Sequence, residues 1–170
     1  EGVTVWHSTP SVFRAFADGL DRRLPTIRLV VMGGEAVTRA DFEIFREAFE
    51  PGCLFVNGLG PTESTVTLQF FANHETDLRR FSVPVGHAID GTGIELLDDT
   101  GTRTDLFGEI AICSPHVALG YWQQDSSAFE PDPVRPGAIR YRSGDIARRL
   151  PDGSLEVVGR RDGQIKLRGF

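Results

Sequence analysis

The sequence predicts an α/β segment that runs on into a mostly β segment. Three observations carry this. Through about residue 60, short apolar runs alternate with stretches of helical period. From about residue 66 the helical period disappears. Beyond residue 90, short apolar runs are separated by hairpin-turn chemistry such as Asp98-Asp99-Thr100-Gly101 and Pro151-Asp152-Gly153.

In chain order, VTVWHS (3–8) is β-branched and apolar, a first strand. PSVFRAFADGL (10–20) follows with Val12, Phe13 and Phe16 at helical spacing and Gly19 near its end. IRLVVMGG (27–34) is a second strand that stops at two glycines. TRADFEIFREAF (38–49) opens on Thr38 and Asp41, a capping-box spacing, and turns Phe42, Phe45 and Phe49 to one face. CLFVNG (53–58) is a third strand. Near-continuous apolar strands linked by helices predict a parallel sheet with right-handed crossovers. The loops after such strands share one edge, where ligands of open α/β sheets bind. These loops are His7-Ser8-Thr9, Met32 to Glu35, and Asn57 to Glu63. TVTLQFFA (65–72) reads as a strand, and the change of character falls near residues 72–83. GIELLDD, GEIAICS, IRYRSGDIARRL, SLEVVGR and GQIKLRG then read as strands of a small distorted barrel or sandwich.

Composition narrows the function. The 170 residues are 40% hydrophobic and 25% charged, as in ordinary globular chains. A net charge of −6 argues against a general nucleic-acid binder. No apolar run approaches the roughly 20 residues of a membrane span, and no signal peptide opens the chain. Cys53 and Cys113 lie far apart in apolar runs, as buried free thiols do, which fits a cytoplasmic setting. The start at Glu1 and the end at KLRGF are those expected of a piece of something longer.

Four stretches carry chemistry. In NGLGPTEST (57–65), glycines let backbone approach a ligand, Thr62, Ser64 and Thr65 can donate to phosphate oxygens, and Glu63 is a hard oxygen ligand suited to Mg²⁺. No Gly-Lys-Ser/Thr follows, so this is not the Walker loop. In GGE (33–35), two glycines leave bare backbone for a flat ligand. Asp145, after a Ser-Gly turn, is placed to accept from a sugar diol, and Arg160 to donate to ribose or phosphate oxygens. A plain capped loop, a strand-to-helix turn, an Asx-type turn and a solvated hairpin are the structural alternatives. The four histidines show no metal-ligand spacing, and Tyr121 and Trp122 read as barrel packing.

In order, GGE, NGLGPTEST, VPVGHAI, GEIAICSPHVALGYW, YRSGDIARRLPDG and GRRDGQIKLRG closely resemble the adenylation domains of nonribosomal peptide synthetases, within the adenylate-forming, AMP-binding superfamily. The resemblance covers nearly the whole chain. It implies activation of an amino acid or related carboxylic acid with ATP to an acyl-adenylate, in secondary-metabolite or antibiotic biosynthesis. It further implies transfer to the phosphopantetheine thiol of a carrier domain. Thr62 then contacts the α-phosphate and Glu63 serves Mg²⁺; these two are the catalytic pair. Asn57 and the Gly58 carbonyl address the adenine amino group, and Gly33 and Gly34 flank the adenine and acyl pockets. Asp145 and Arg160 grip the ribose, and Asp162 is the hinge of a C-terminal lid. His7, Val30, Met32, Gly58, Val66 and Thr67 would line the acyl pocket. Leu59 stands where the family usually has a tyrosine stacked on adenine, and Val157 where an aromatic is frequent near the ribose.

The same resemblance divides the chain. Residues 1–75 correspond to the C-terminal portion of the large α/β subdomain, 76–160 to a β-barrel subdomain, and 161–170 to the hinge and the start of the lid. The family's lysine-bearing phosphate loop, the aspartate for a substrate amino group and the lid lysine match nothing in these residues. The remaining parts of the domain are therefore expected partners. Two alternatives stay open from sequence: a non-catalytic adenylation-like docking module, and a fragment of an acyl-CoA or aryl-acid ligase. VVMGGEA and GQIKLRG favour the peptide-synthetase branch. The isolated chain is expected to leave ATP–pyrophosphate exchange at background; clear turnover would contradict this.

Overall fold

The computed structural model describes residues 2–124 and 126–163. Most of the expected strand GQIKLRG, and with it the start of a lid, lies outside the described residues.

The first sheet has five strands in spatial order β1 (Val5–Ser8), β2 (Leu29–Gly33), β3 (Leu54–Leu59), β4 (Leu68–Ala72) and β5 (His87–Ala88). The first three are parallel, as the β-α-β-α-β order requires; β4 and β5 add antiparallel. Helices α1 (Pro10–Ala17) and α2 (Arg39–Ala48) make the two crossovers. Pro10 opens α1, where a missing N–H costs nothing. The N-cap Thr9 makes no side-chain cap bond; Glu35 supplies it from across the sheet edge, accepting from the Ser11 amide (3.0 Å) and hydroxyl (2.7 Å). The capping box at Thr38 and Asp41 is present, and the same buried Asp41 holds Arg14 of α1 at 2.6 Å. Phe42, Phe45 and Phe49 share one core with Phe13, Val30, Met32 and Phe55. Val12 is exposed, so α1 buries a narrower face than its spacing predicts.

The second sheet is antiparallel throughout. Its order is β11 (Leu155–Arg160), β10 (Ile139–Arg149), β8 (Phe107–Ser114), β6 (Gly93–Leu97) and β7 (Arg103–Thr104), with β9 (Phe129–Pro131) also paired to β10. The Asp98 turn closes the β6–β7 hairpin. Its carboxylate accepts from the Thr100 hydroxyl and from the Thr100 and Thr102 amides, bonds that hold it below the ordinary carboxylate range. Leu96, Ile110, Ile112, Tyr141, Ala147 and Leu155 form the second core, joined by Leu68 of β4 and Val85. The chain leaves the first sheet after Ala88 and enters the second at Gly93, some residues beyond the 72–83 window where the sequence changes character. Both cysteines are free and buried; burial pushes Cys53 up to about 11 and Cys113 up to about 12, as befits packed, unreactive thiols. Among the described residues, no helix is long and apolar enough to cross a membrane.

The segment Ser82–Gly86 joins the two sheets. Val85 donates to the Leu155 carbonyl (2.8 Å), and Leu155 donates back to the Gly86 carbonyl (2.8 Å). Ser82 hydrogen-bonds the buried Glu156, which also takes Arg148 at 2.7 Å. Gly86 is needed twice over: its φ is +79°, and a Cβ would stand 1.9 Å from the Gln69 carbonyl oxygen. Gly91 has the same φ of +79° with nothing within 4 Å of a Cβ. Gly91→Ala is therefore expected to cost about 1 kcal/mol, from left-handed strain alone. Gly86→Ala should cost about 3 kcal/mol or more, because backbone overlap adds to that strain. Urea unfolding of both variants measures the difference; equal losses would contradict the seam.

Candidate functional site

The loop after β3 is closed on itself. The Thr67 amide (2.9 Å) and hydroxyl (3.2 Å) both donate to the Leu59 carbonyl. Gly60 lies against the backbone of Thr65 so closely that a Cβ would be 1.8 Å from its carbonyl oxygen, and Thr65 itself has φ +58°. Ser64 donates its amide to the Pro61 carbonyl at 3.0 Å, leaving Thr62 and Glu63 at the crest of a pinned turn.

The glycines of the site divide by what needs them. A Cβ on Gly33 would meet the Gly58 carbonyl oxygen at 2.8 Å, and Gly34 has φ +82°. Both are demanded by the chain. Gly58 is not: its nearest neighbour to a Cβ is the Met32 carbonyl oxygen at 3.7 Å, ordinary contact, and its φ is unremarkable. Its bare backbone faces a cleft of about 390 Å³ between the two sheets, lined among others by Gly34, Asn57, Leu59, Val85, Asp145 and Arg160. Asn57 is almost fully buried there. Its Nδ2 donates to the Val83 (3.1 Å) and Pro84 (2.9 Å) carbonyls. Both partners are acceptors, which fixes the amide's orientation and makes Oδ1 the group turned away from them.

On the opposite wall, Asp145 of β10 is directly across from Arg160 of β11 in the strand register. Arg160 Nη1 donates to Asp145 Oδ1 at 2.9 Å and to the Ser143 carbonyl at 3.2 Å. Its Nε and Nη2 fork onto Asp162 at 2.9 and 2.7 Å. These carboxylates raise the guanidinium above its ordinary value, the Asp162 hydrogen bonds most, against an opposing effect of burial. Gly144, φ +77°, leaves room for that guanidinium: a Cβ would stand 2.8 Å from Nη2.

A second cleft, about 660 Å³, continues from the first past Arg160. Its lining includes Thr62, Glu63, Glu109, Tyr121, Arg161 and Asp162. Glu109 of β8 is a buried hub within it. Its Oε2 takes Arg142 (2.5 Å from Nη2) and Arg161 (3.0 Å), and its Oε1 takes the Gly144 amide (3.1 Å). At that point the β8–β10 register skips Ser143 to Asp145, so Glu109 replaces a ladder bond that the bulge removes. Burial alone would push the Glu109 carboxyl up; the arginine and amide bonds outweigh it and hold the group below its ordinary value.

The expected nucleotide residues Gly34, Asn57, Gly58, Leu59, Asp145 and Arg160 line one cleft, and Thr62, Glu63 and Asp162 the adjoining one. Gly33 lies just behind, against Gly58. Of the residues expected to line an acyl pocket, Gly58 lines the first cleft, and the other five lie outside the lining of both clefts. Val30 and Met32 are fully buried in the first core, facing the helices, because alternate residues of β2 point that way. Thr67 is buried in its own loop, whereas His7 and Val66 are exposed. Reading Trp122 as barrel packing is corrected, and Tyr121, whose ring does meet Phe129 of the barrel, also turns its hydroxyl to the cleft. Trp122 is 86% exposed, and the Tyr121 hydroxyl donates to Glu63 Oε1 at 2.6 Å. That bond is the leading cause that raises Tyr121 above its ordinary value. The contact spans 58 residues, so no local spacing signals it. Glu109 was visible only as the acid of GEIAICS.

A mostly parallel sheet edge facing an antiparallel sheet across a cleft of about 390 Å³ defines an α/β protein with a candidate ligand cleft between its two sheets. Comparison with known proteins specifies it: residues 1–122 match the family described as AMP-binding enzyme, and the chain belongs to that family. Among similar curated proteins, bacitracin synthase 3 of Bacillus licheniformis is 36% identical over 99% of this chain. Gramicidin S synthase 2 of Brevibacillus brevis is 32% identical over 99% of this chain. The chain spans 3% and 4% of their respective lengths. Among solved structures, PA1221, a peptide-synthetase protein containing adenylation and PCP domains, superposes with a TM-score of 0.84 at 32% identity, covering 99% of this chain and 35% of that one. The Vibrio cholerae adenylation domain AlmE, in complex with glycyl-adenosine-5'-phosphate, gives 0.83 at 27% identity, covering 99% and 33%. Within its family the chain thus corresponds to part of an adenylation domain of the nonribosomal peptide synthetase kind.

The Glu109 hub has a measurable sign. A carboxyl held below its ordinary value of about 4.5 stabilises the fold fully above that pH, and the stabilisation is lost as pH falls through the folded value. Glu109→Gln, which keeps the shape and removes the charge, is expected to cost about 2 kcal/mol at pH 7. The difference from wild type should shrink below about pH 4. Denaturant unfolding across that range checks both; a pH-independent difference would contradict the hub.

Proposed function

We propose that this chain supplies the adenine, ribose and α-phosphate contacts of an adenylation domain, which activates an amino acid or related carboxylic acid with ATP. The carrying observation is the cleft that joins Asn57 and Gly58 on one wall to Asp145 and Arg160 on the other. Gly58 in particular has no neighbour that requires a glycine, which leaves close approach of a ligand as its reason.

The residues divide the work. Asn57 Oδ1, oriented by the Val83 and Pro84 carbonyls, and the Gly58 carbonyl accept from the adenine amino group. Leu59 and Val157 give the base aliphatic walls. Asp145 accepts from the ribose hydroxyls, with Arg160 donating beside it. Thr62, at the crest of its pinned turn, donates to the α-phosphate. The substrate carboxylate oxygen attacks the α-phosphorus as the bond to pyrophosphate breaks, so positioning and charge stabilisation carry the rate and no protein nucleophile is needed. Among the described residues no group of three or more acidic, histidine or cysteine side chains could cage a metal. That fits Mg²⁺, which is bound through one or two carboxylates plus substrate phosphates; Glu63 is the carboxylate that would hold it. When bound, Mg²⁺ neutralises phosphate charge.

The reading extends to neighbours. PA1221 contains adenylation and PCP domains and has been seen with a vinylsulfonamide inhibitor bound. By analogy, a carrier domain bearing phosphopantetheine receives the acyl group here. On this reading residues 1–75 end the α/β subdomain, 76–160 form the β subdomain, which lends β5 to the first sheet, and 161–170 approach a lid that turns about Asp162. His7, Val30, Met32, Gly58, Val66 and Thr67 remain the residues assigned to the acyl side. The buried free thiols support a cytoplasmic setting.

The test is ATP–pyrophosphate exchange by the full-length polypeptide against a panel of acids. Asp145→Asn is expected to raise the KM for ATP at least about tenfold with a smaller change in kcat, and Thr62→Ala to lower kcat about a hundredfold. Exchange that is indifferent to both variants would refute the reading.

A further inference from the structure

We propose that Tyr121 is a positioning residue for Glu63: its hydroxyl, 2.6 Å from Glu63 Oε1, fixes the plane of the carboxylate that faces the phosphates and their cation. The proposal deepens the function proposed above and rests on its reading of Glu63.

The loop that carries Tyr121 grips Glu63 twice. The Ala118 amide donates to the Glu63 backbone carbonyl at 2.7 Å, and Tyr121 donates to its side chain. The loop is itself held in shape. Gly120 has φ +142°, a Cβ there would meet Ser126 Oγ at 2.7 Å, and the Tyr121 amide donates to that same Oγ at 2.9 Å. The tyrosine ring stands edge-on to Phe129 (centroids 5.1 Å), which packs on Tyr141 of β10 (4.7 Å). The second sheet thus sets the rotamer of an acidic side chain that the first sheet's loop presents. An unrestrained glutamate has three side-chain torsions to fix on binding; hydrogen-bonded outer partners of a ligating carboxylate remove that cost and are worth about 10- to 100-fold in metal affinity. The hydroxyl is also held above the ordinary phenol value, because the hydrogen bond to Glu63, with burial, outweighs the opposing effects of Tyr141 and Arg160. A neutral donor orients the carboxylate without cancelling its charge.

The experiment is calorimetric ATP binding by the full-length polypeptide at varied Mg²⁺, for wild type, Glu63→Gln, Tyr121→Phe and the double variant. Tyr121 is 41% exposed and phenylalanine keeps the ring on Phe129, so the fold is not at risk. Each single variant is expected to raise the half-effective Mg²⁺ about tenfold, and Tyr121→Phe, which keeps the Glu63 charge, should leave Mg²⁺-free ATP affinity unchanged. The double variant should shift no further than Glu63→Gln alone, because Tyr121 acts through Glu63. If only Glu63→Gln shifts, the reading of Glu63 stands and the role of Tyr121 falls. If neither shifts, or wild type binds without regard to Mg²⁺, both fall. An equal loss with and without Mg²⁺ in Tyr121→Phe would mark a structural residue and overturn the proposal.

Discussion

The cleft exists because one short extended segment, Ser82–Gly86, is hydrogen-bonded to both of its walls. The Val83 and Pro84 carbonyls hold the buried amide of Asn57 at the end of β3, and the backbone of Val85 and Gly86 pairs with Leu155 at the start of β11. These are buried polar groups, for which a missing partner is costly, so the spacing between the walls is set by bonds that cannot be stretched without loss. Everything the site places depends on that spacing. Asn57 and Gly58 line the cleft from one side, and Asp145 and Arg160 line it from the other. The proline at 84 suits the segment: it has no amide hydrogen to satisfy, and its carbonyl is the part used.

The second wall has its own internal constraint, and it is electrostatic. β10 must bulge at Ser143–Gly144 to turn Asp145 and the Arg160 guanidinium toward the cleft, and a bulge leaves ladder groups without partners. Two groups of the facing strand supply replacements: the Ile110 carbonyl takes the Ser143 hydroxyl at 2.9 Å, and the Glu109 carboxylate takes the Gly144 amide. Glu109 then balances its charge with Arg142 and Arg161. A buried carboxylate with one arginine gone would carry an uncompensated charge, so these bonds stand or fall together. Arg161 is the neighbour of Arg160 and Asp162, and its anchorage on Glu109 ties that turn to the barrel.

Much of this was legible in the residues. The βαβαβ order, the capping box at Thr38 and Asp41 and the phenylalanine face of α2 follow from local patterns, because periodicity and turn chemistry are local properties; that Asp145 and Arg160 face Asn57 and Gly58 was legible only through the resemblance of their motifs to a known family. What was not legible depends on contacts between distant positions. Tyr121 meets Glu63 across 58 residues, and an aromatic pair after an apolar strand looks like packing until the fold places it. The inward direction of Val30 and Met32 depends on which face of β2 the helices cover, which composition cannot say. Likewise, β5 is two residues long, too short for any pattern, yet it moves the change of sheet past Ala88.

The aliphatic walls at Leu59 and Val157 follow from the same architecture. Both side chains are partly buried against the second core, beside Leu68, Val85 and Leu155, so they serve the packing of the seam as well as the cleft. An aromatic ring over a nucleobase adds about 0.5–1.5 kcal/mol beyond the area it buries. Leucine and valine lack that increment but still present apolar surface to the cleft, and burying such surface is the larger contribution. Orientation then falls to the polar groups rather than to stacking. Asn57 is suited to that task because its amide is immobilised before any ligand arrives: both its N–H donors are already committed, and only its acceptor is turned elsewhere. The cleft therefore offers one fixed acceptor, the bare backbone of Gly58 and two aliphatic walls on one side, and its separation from Asp145 and Arg160 on the other is set by the Ser82–Gly86 segment.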